Sequence, residues 1–570
     1  MPTLASLNVG FRNSFVDYDA LTRQLHGWHQ AFPDLTRLRS LGRTAEGREL
    51  WLLTVGRDPD ALRPAVWVDA NMHATELCGT NVALGIAEDV LALHHGEDRH
   101  GLPPHVREAL TEALFYVMPR ISPDGAEQVI RTGRYVRSSP EDRRPQQQHP
   151  HWRSVDVNGD GRIAVMRKPD PNGELVESNL APGMLVPRTL DHTGPFYKVF
   201  PEGLIENWDG HSVPDPFFLG DNAVDMNRNF PWSWAPEPEQ MGAGDYPGST
   251  PETRAVIEFA TAHPNLYAWL NLHTFGGVVI RPLGHQPDSK MNQGDLAVYR
   301  QVEAWNTQFT TYPTVSGYHE FTYEPDKPLK GDLSDYAYHQ RGCLAYVVEL
   351  WDLFRRVGMD VKKPFVDHYS HWGENDFAAL AAFDRDHNQG RLFQPWVPFH
   401  HPQLGDVEVG GIDIRVGISN PPFELFGELC AGQSAAFLRV AALVPRVRFA
   451  VTKTEALGGD LTRVTLRAQN IGYLATYGMP SARALPHSEA LRLRTVSESV
   501  TVASAPSALL DVGHLEGWGQ GLYGGWGVFL PWTRGSVSER TLTIVLQGHG
   551  EVEFVLESCR TGRATLQLTV

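Results

Sequence analysis

The stretch PAVWVDANMHATELCGTNVALGIAEDVLALH, from Pro64 to His94, decides the fold. Its first seven residues, Pro64–Ala70, form an apolar run of strand length, as expected of a strand buried on both faces. After a short polar turn, Leu77–His94 carries a helical pattern. The same alternation extends outward. Val16–Phe32 reads as a helix, and Glu49–Val55 and Leu114–Met118 as strands. Further on come Pro251–Ala262 (helix), Leu266–Leu272 (strand), Asp295–Phe309 (helix) and Cys343–Leu350 (strand). Strands alternating with helices predict an α/β domain with a mixed, mostly parallel sheet flanked by helices.

Composition narrows the class. The 570 residues are 42% hydrophobic and 21% charged, which are globular proportions. That length exceeds what one core serves, so more than one domain is expected. A net charge of −17 argues against nucleic acid and anionic membrane surfaces as partners. No apolar run is long enough for a membrane span, and the first residues do not form a secretory signal, so the expected location is cytoplasmic. Four scattered cysteines do not make a disulfide framework.

Two regions depart from the α/β pattern. From about 138 to 225 the periodicity dissolves into Pro, Gly, Asp and Asn, which reads as a long insertion without regular structure. Beyond residue 400 short runs of period two dominate, such as Val447, Phe449, Val451 and then Leu491, Leu493. They predict an antiparallel β-sandwich over 401–570, joined to a first domain over 1–400 by the Pro-rich stretch Pro395–Pro402.

Chemistry concentrates at strand ends. His73 and Glu76 sit three apart just after the Pro64–Ala70 strand, and one further imidazole would complete the His₂Glu set that catalytic zinc uses. His273 ends an apolar strand and Glu349 ends another. The pair Asn227-Arg228, in Asp225–Phe230, is suited to hold a carboxylate. In open α/β sheets, ligands bind outside the carboxyl ends of the strands, so these residues are expected to converge.

In this order the chain resembles the zinc metallocarboxypeptidases of the carboxypeptidase A type, from about Tyr18 to Asp376. The resemblance rests on Glu46-Gly47-Arg48, His73 with Glu76, Pro123-Asp124-Gly125, Asn227-Arg228-Asn229, His273 and Glu349. It implies a zinc ion held by His73, Glu76 and His273, with Glu349 as the general base. It further implies Asn227 and Arg228 as the grip on a substrate carboxylate, Arg137 as the oxyanion partner and Asp225 as the carboxylate orienting His73. Two positions depart from the family. Its mobile tyrosine, eight residues before the aspartate corresponding to Asp335, falls on Lys327, and Tyr323 is the nearest substitute. Its specificity position is Ser334, which favours neither basic nor apolar side chains.

One more motif lies in the insertion. Asp156, Asn158 and Asp160, followed by Gly161, match the front half of an EF-hand loop, but the twelfth position is Arg167. Calcium binding and a tight turn between strands at 154–157 and 162–166 both remain open. The sequence thus predicts a zinc-dependent hydrolase that releases a C-terminal amino acid from a peptide. The alternatives are deacylation of a small N-acyl amino acid and a non-catalytic binding protein on the same fold.

Overall fold

The computed structural model describes residues 3–140, 149–216, 224–324, 326–505, 507–522, 529–530 and 532–570. Eight strands make the central sheet, in the order Thr36–Arg43, Glu49–Val55, Leu114–Met118, Ala65–Ala70, Leu266–Thr274, Leu344–Leu350, Val278–Arg281 and Thr314–Ser316. The three central pairings are parallel. Antiparallel pairings join the first two strands to that centre, and Val278–Arg281 to Leu344–Leu350. Ala65–Ala70 and Leu266–Thr274 are buried at every residue, which is why both read as mainly apolar runs without alternation.

Helices Tyr18–Ala31, Cys78–His94, Pro251–Ala262 and Gln293–Thr310 flank the sheet at the places the periodicity predicts. Their ends follow local chemistry. Asp17, Thr250 and Asn292 cap their helices by accepting hydrogen bonds from the first-turn amides, and Pro251 takes a first-turn position that needs no amide donor. Among the described residues no helix is long and apolar enough to cross a membrane.

The insertion is not irregular. Its described part holds six short strands, four of which join Phe393–His401 and Gly405–Ile412 in a six-stranded sheet. Strands of three to six residues separated by Pro and Gly are too short to show a period. The Pro-rich stretch at 395–402 is accordingly no linker but part of an edge strand. Prolines are tolerated there because one side of an edge strand needs no donors. The hairpin with Gly405–Ile412 runs across residue 400, and helix Phe426–Ala441 packs on Cys78–His94 and Gln293–Thr310. The first unit therefore continues to about residue 445.

Beyond it lie two four-stranded antiparallel sheets. Val464, Leu466, Leu493 and Phe554, drawn from both sheets, share one apolar cluster. This region docks at the amino ends of the central strands. Arg560, 2% exposed, donates to the Leu266 carbonyl and, at 3.0 Å, to the Arg341 carbonyl. Arg446 pairs with Glu108 at 2.6 Å and Glu112 at 2.7 Å. Replacing Arg560 by Met takes the guanidinium donor from both carbonyls, a loss of about 1–3 kcal/mol. The expected outcome is a lower melting midpoint in calorimetry, and an unchanged midpoint would refute the clamp.

Candidate active site

The loop carrying His73 and Glu76 is fixed from several sides. Asn71 takes a left-handed φ of 55°, which asparagine tolerates better than most residues. Its Nδ2 donates to the carbonyls of His73 (2.9 Å) and Ala74 (3.1 Å). Helix Pro123–Thr132 lies beneath. A side chain on Gly125 would stand 2.5 Å from the Ala74 Cβ and from the Ser138 carbonyl, so only glycine fits. The Glu46-Gly47-Arg48 and Pro123-Asp124-Gly125 motifs meet each other: Arg48 pairs with Asp124 at 2.7 Å, and Thr44 donates to the same carboxylate at 2.8 Å. They brace the loop from behind.

His73, Glu76 and His273 are all buried, and their ligand atoms face one another. His73 Nδ1 is 2.8 Å from Glu76 Oε1, His273 Nδ1 is 3.0 Å from Glu76 Oε2, and the two Nδ1 atoms are 3.0 Å apart. Two ring nitrogens so close, each on an imidazole whose other nitrogen already has an acceptor, present lone pairs to a common point. His73 Nε2 donates to Asp225 Oδ1 (3.2 Å) and His273 Nε2 to Asn271 Oδ1 (2.7 Å). Tetrahedral zinc sets its ligand atoms about 3.3 Å apart, close to this triangle. The donor set therefore fits zinc. Burial alone would raise the Glu76 carboxyl, but the two imidazoles outweigh it and hold the pKa low, leaving a ready anionic ligand.

Glu349 sits directly beside His273, because the parallel register pairs those two residues. Desolvation pushes its carboxyl well above the usual range, with the Glu76 charge adding to the effect. Burial would likewise raise Asp225, but Arg137, His73 and Arg228 hold it well below the ordinary range. Arg137 pairs with Asp225 at 3.2 Å and lies 3.6 Å from Glu76.

A cavity of about 280 Å³ opens over these groups, lined among others by Arg137, Asn227, Arg228, Tyr323, Ser334 and Glu349. Asn227 Oδ1 accepts from the Leu333 amide at 2.9 Å, which turns its Nδ2 side to other partners. Tyr323 reaches the cavity wall with 60% of its surface exposed, whereas Lys327 pairs with Glu324 at 2.5 Å on the surface. The Ser334 hydroxyl is spent on Asp332 Oδ1 at 2.6 Å.

Sequence reasoning missed four residues here. Asp332, 7% exposed, lines the cavity with Oδ2 buried and without a partner; burial, then the neighbouring Asp335, raises its pKa to about 6. Tyr369 also lines the cavity and donates to the Phe275 carbonyl. Asn271 donates to the fully buried Asp69 at 2.5 Å, and Asp69 also accepts from Trp67 (2.7 Å) and Trp269 (2.8 Å). A lone carboxylate inside the apolar run Pro64–Ala70 was the available signal for this network.

The Asp156 loop lies apart from the site and does not support calcium. Asp156 accepts from the amides of Gly159 (2.7 Å), Asp160 (3.2 Å) and Gly161 (2.8 Å), and Asp160 from that of Arg162 (2.9 Å). The carboxylates close a tight turn upon its own backbone. Nor do its flanking strands form a hairpin: His151–Ser154 pairs with Gly203–Glu206, and Val165–Pro169 with Phe196–Pro201 and Gly405–Ile412.

Comparison with known proteins gives the family. The family described as zinc carboxypeptidase matches residues 21–172 and 209–362, more than half the chain, and the protein belongs to that family. The unmatched residues between fall in the insertion. A domain of unknown function, DUF8731, matches residues 446–569. The carboxypeptidase N catalytic chain of Mus musculus is 23% identical over 362 residues, covering 58% of this chain and 62% of that protein. Carboxypeptidase A6 of Mus musculus is 32% identical over 101 residues, 18% of this chain and 22% of that protein. The alignments thus span less than two thirds of these relatives. Bovine thrombin-activatable fibrinolysis inhibitor, solved with a tick carboxypeptidase inhibitor, aligns with TM-score 0.42 and 13% identity over 76% of this chain and 97% of that one.

The Asn271 bridge yields a test. Outer partners of a metal-bound imidazole typically contribute about 10–100-fold in metal affinity. Asn271→Leu is therefore expected to weaken zinc binding by about that factor in a competition titration with a chromophoric chelator. Unchanged affinity would remove Asn271 from the site.

Proposed function

We propose that this chain is a zinc-dependent carboxypeptidase that hydrolyses the last peptide bond of its substrate and releases the C-terminal amino acid. One observation carries the reading: three ligand atoms turned to a common point, with Glu349 beside them and Arg228 in the same cavity. His73, Glu76 and His273 would hold the zinc. When bound, the metal polarises the scissile carbonyl and makes water a better nucleophile at neutral pH.

The chain's own groups do the rest. Glu349, poised as a proton acceptor, takes the proton of the attacking water and returns it to the leaving amine. Arg137, anchored by Asp225, offers a permanent positive charge to the developing oxyanion. Arg228 and the Asn227 amide receive the substrate's terminal carboxylate, so that a free chain end is required. Asp332 takes no part in this grip. It offers an unpaired oxygen deep in the cavity, which a cationic side chain on the terminal residue would satisfy.

Glu349→Gln is expected to lower kcat by about 10²–10⁴-fold with zinc content unchanged, as measured by turnover and elemental analysis side by side. Wild-type enzyme should cleave peptides with free C-termini and spare their amidated forms, and equal rates on both would overturn the exopeptidase reading. A charge-assisted contact contributes about 1.5–3 kcal/mol. Asp332→Asn should therefore reduce the preference for C-terminal Lys or Arg over Leu by about 10–100-fold in kcat/KM. A wild-type enzyme with no such preference would remove Asp332 from specificity.

A further inference from the structure

A second cluster of ligand-type atoms lies behind the specificity wall. His285, Asp335 and His339 bring one ligand atom each to within 4.8 Å of one another. Asp335 and His339 lie four apart on the helix Leu333–His339 and so share a face. His285 follows the strand Val278–Arg281. Asp335 is fully buried, and its carboxylate accepts from the Gly284 amide at 3.1 Å and faces His285 Nδ1 at 2.7 Å.

The third member is left over. His339 Nε2 is buried and has no hydrogen-bond partner, although its ring is locked in place by stacking on Trp232, with centroids 4.2 Å apart and planes at 16°. A buried ring nitrogen that neither donates nor accepts carries a cost that a metal bond would relieve. The outer nitrogen of His285 lies 2.5 Å from the Gln286 side-chain amide. With the amide turned over, its oxygen accepts the N–H of an imidazole bound to metal through Nδ1.

We infer that His285, Asp335 and His339 form a second divalent-metal site, separate from the His73–Glu76–His273 centre. Two imidazoles and one carboxylate suit zinc or a similar late first-row ion and leave a fourth position open. Such an ion would tie the Gly284 turn to the helix that carries Ser334 at the cavity wall. The inference does not depend on the proposed activity, because its test reads bound metal.

The full chain is loaded with excess zinc sulfate, freed of unbound metal by gel filtration and analysed for zinc per chain. Two ions are expected in wild type, one in His73→Ala/His273→Ala, and none when His339→Leu or His285→Leu is added to that pair. In the His73→Ala/His273→Ala protein, zinc should raise the melting midpoint relative to chelator, because the ion binds only the folded form. One ion in wild type and none in the double variant would overturn the site. So would an ion in the double variant that survives replacement of both His339 and His285, since it would then be held elsewhere.

Discussion

The register between two parallel strands, Leu266–Thr274 and Leu344–Leu350, is the constraint on which the site depends. It sets His273 opposite Glu349 at their carboxyl ends, one as a candidate ligand and the other as a candidate base. A slip of one residue would turn each side chain to the opposite face of the sheet and separate the pair. Both strands are almost wholly apolar, so hydrophobic burial alone would tolerate several alignments. A polar thread through the core pins Leu266–Thr274 to its other neighbour, Ala65–Ala70. Asp69 binds Trp67 in its own strand and Trp269 and Asn271 in the next, and Asn271 binds His273. The two that cross between strands, from Trp269 and Asn271 to Asp69, exist in one alignment of that pair only.

That thread is costly. Burial pushes the Asp69 carboxyl up to about 6 even with three donors around it. A buried carboxylate is poor stabilisation, and its value is in fixing geometry: it orients Asn271, which turns the imidazole of His273 so that Nδ1 points outward. Asp225 does the same for His73 from the other side of the cavity and is itself held by Arg137. The two imidazoles are thus aimed by independent supports rooted in different segments of the chain.

Much of this was legible in the sequence. Polar residues that interrupt or end apolar strands carry information, since a core position would otherwise be aliphatic; His273 and Glu349 were readable for that reason, and His73 and Glu76 by their spacing just after a buried strand. Asp69 offered the same signal inside a strand, but its role depends on a partner 202 positions away that no local pattern reveals. Asp332 was hidden behind Ser334, whose hydroxyl turned out to serve it. The insertion failed for a different reason. Its strands are too short for periodicity, and two of their partners, Phe393–His401 and Gly405–Ile412, lie far along the chain. The Asp156 turn shows the converse error: a ligand-like spacing whose oxygens are consumed by the loop's own amides.

Arg560 gives the C-terminal sheets a place in the order of assembly. The carbonyl of Leu266, at the first residue of the strand that ends in the His273 region, waits for a guanidinium encoded 294 positions later. Contacts of that span form late, because a long loop must close before they return any energy. During synthesis the strands bearing His273 and Glu349 would therefore emerge with their amino ends open, and would be sealed only once the last sheets had folded against them. Competence of the site would then be timed by the completion of a region docked at the opposite ends of its strands.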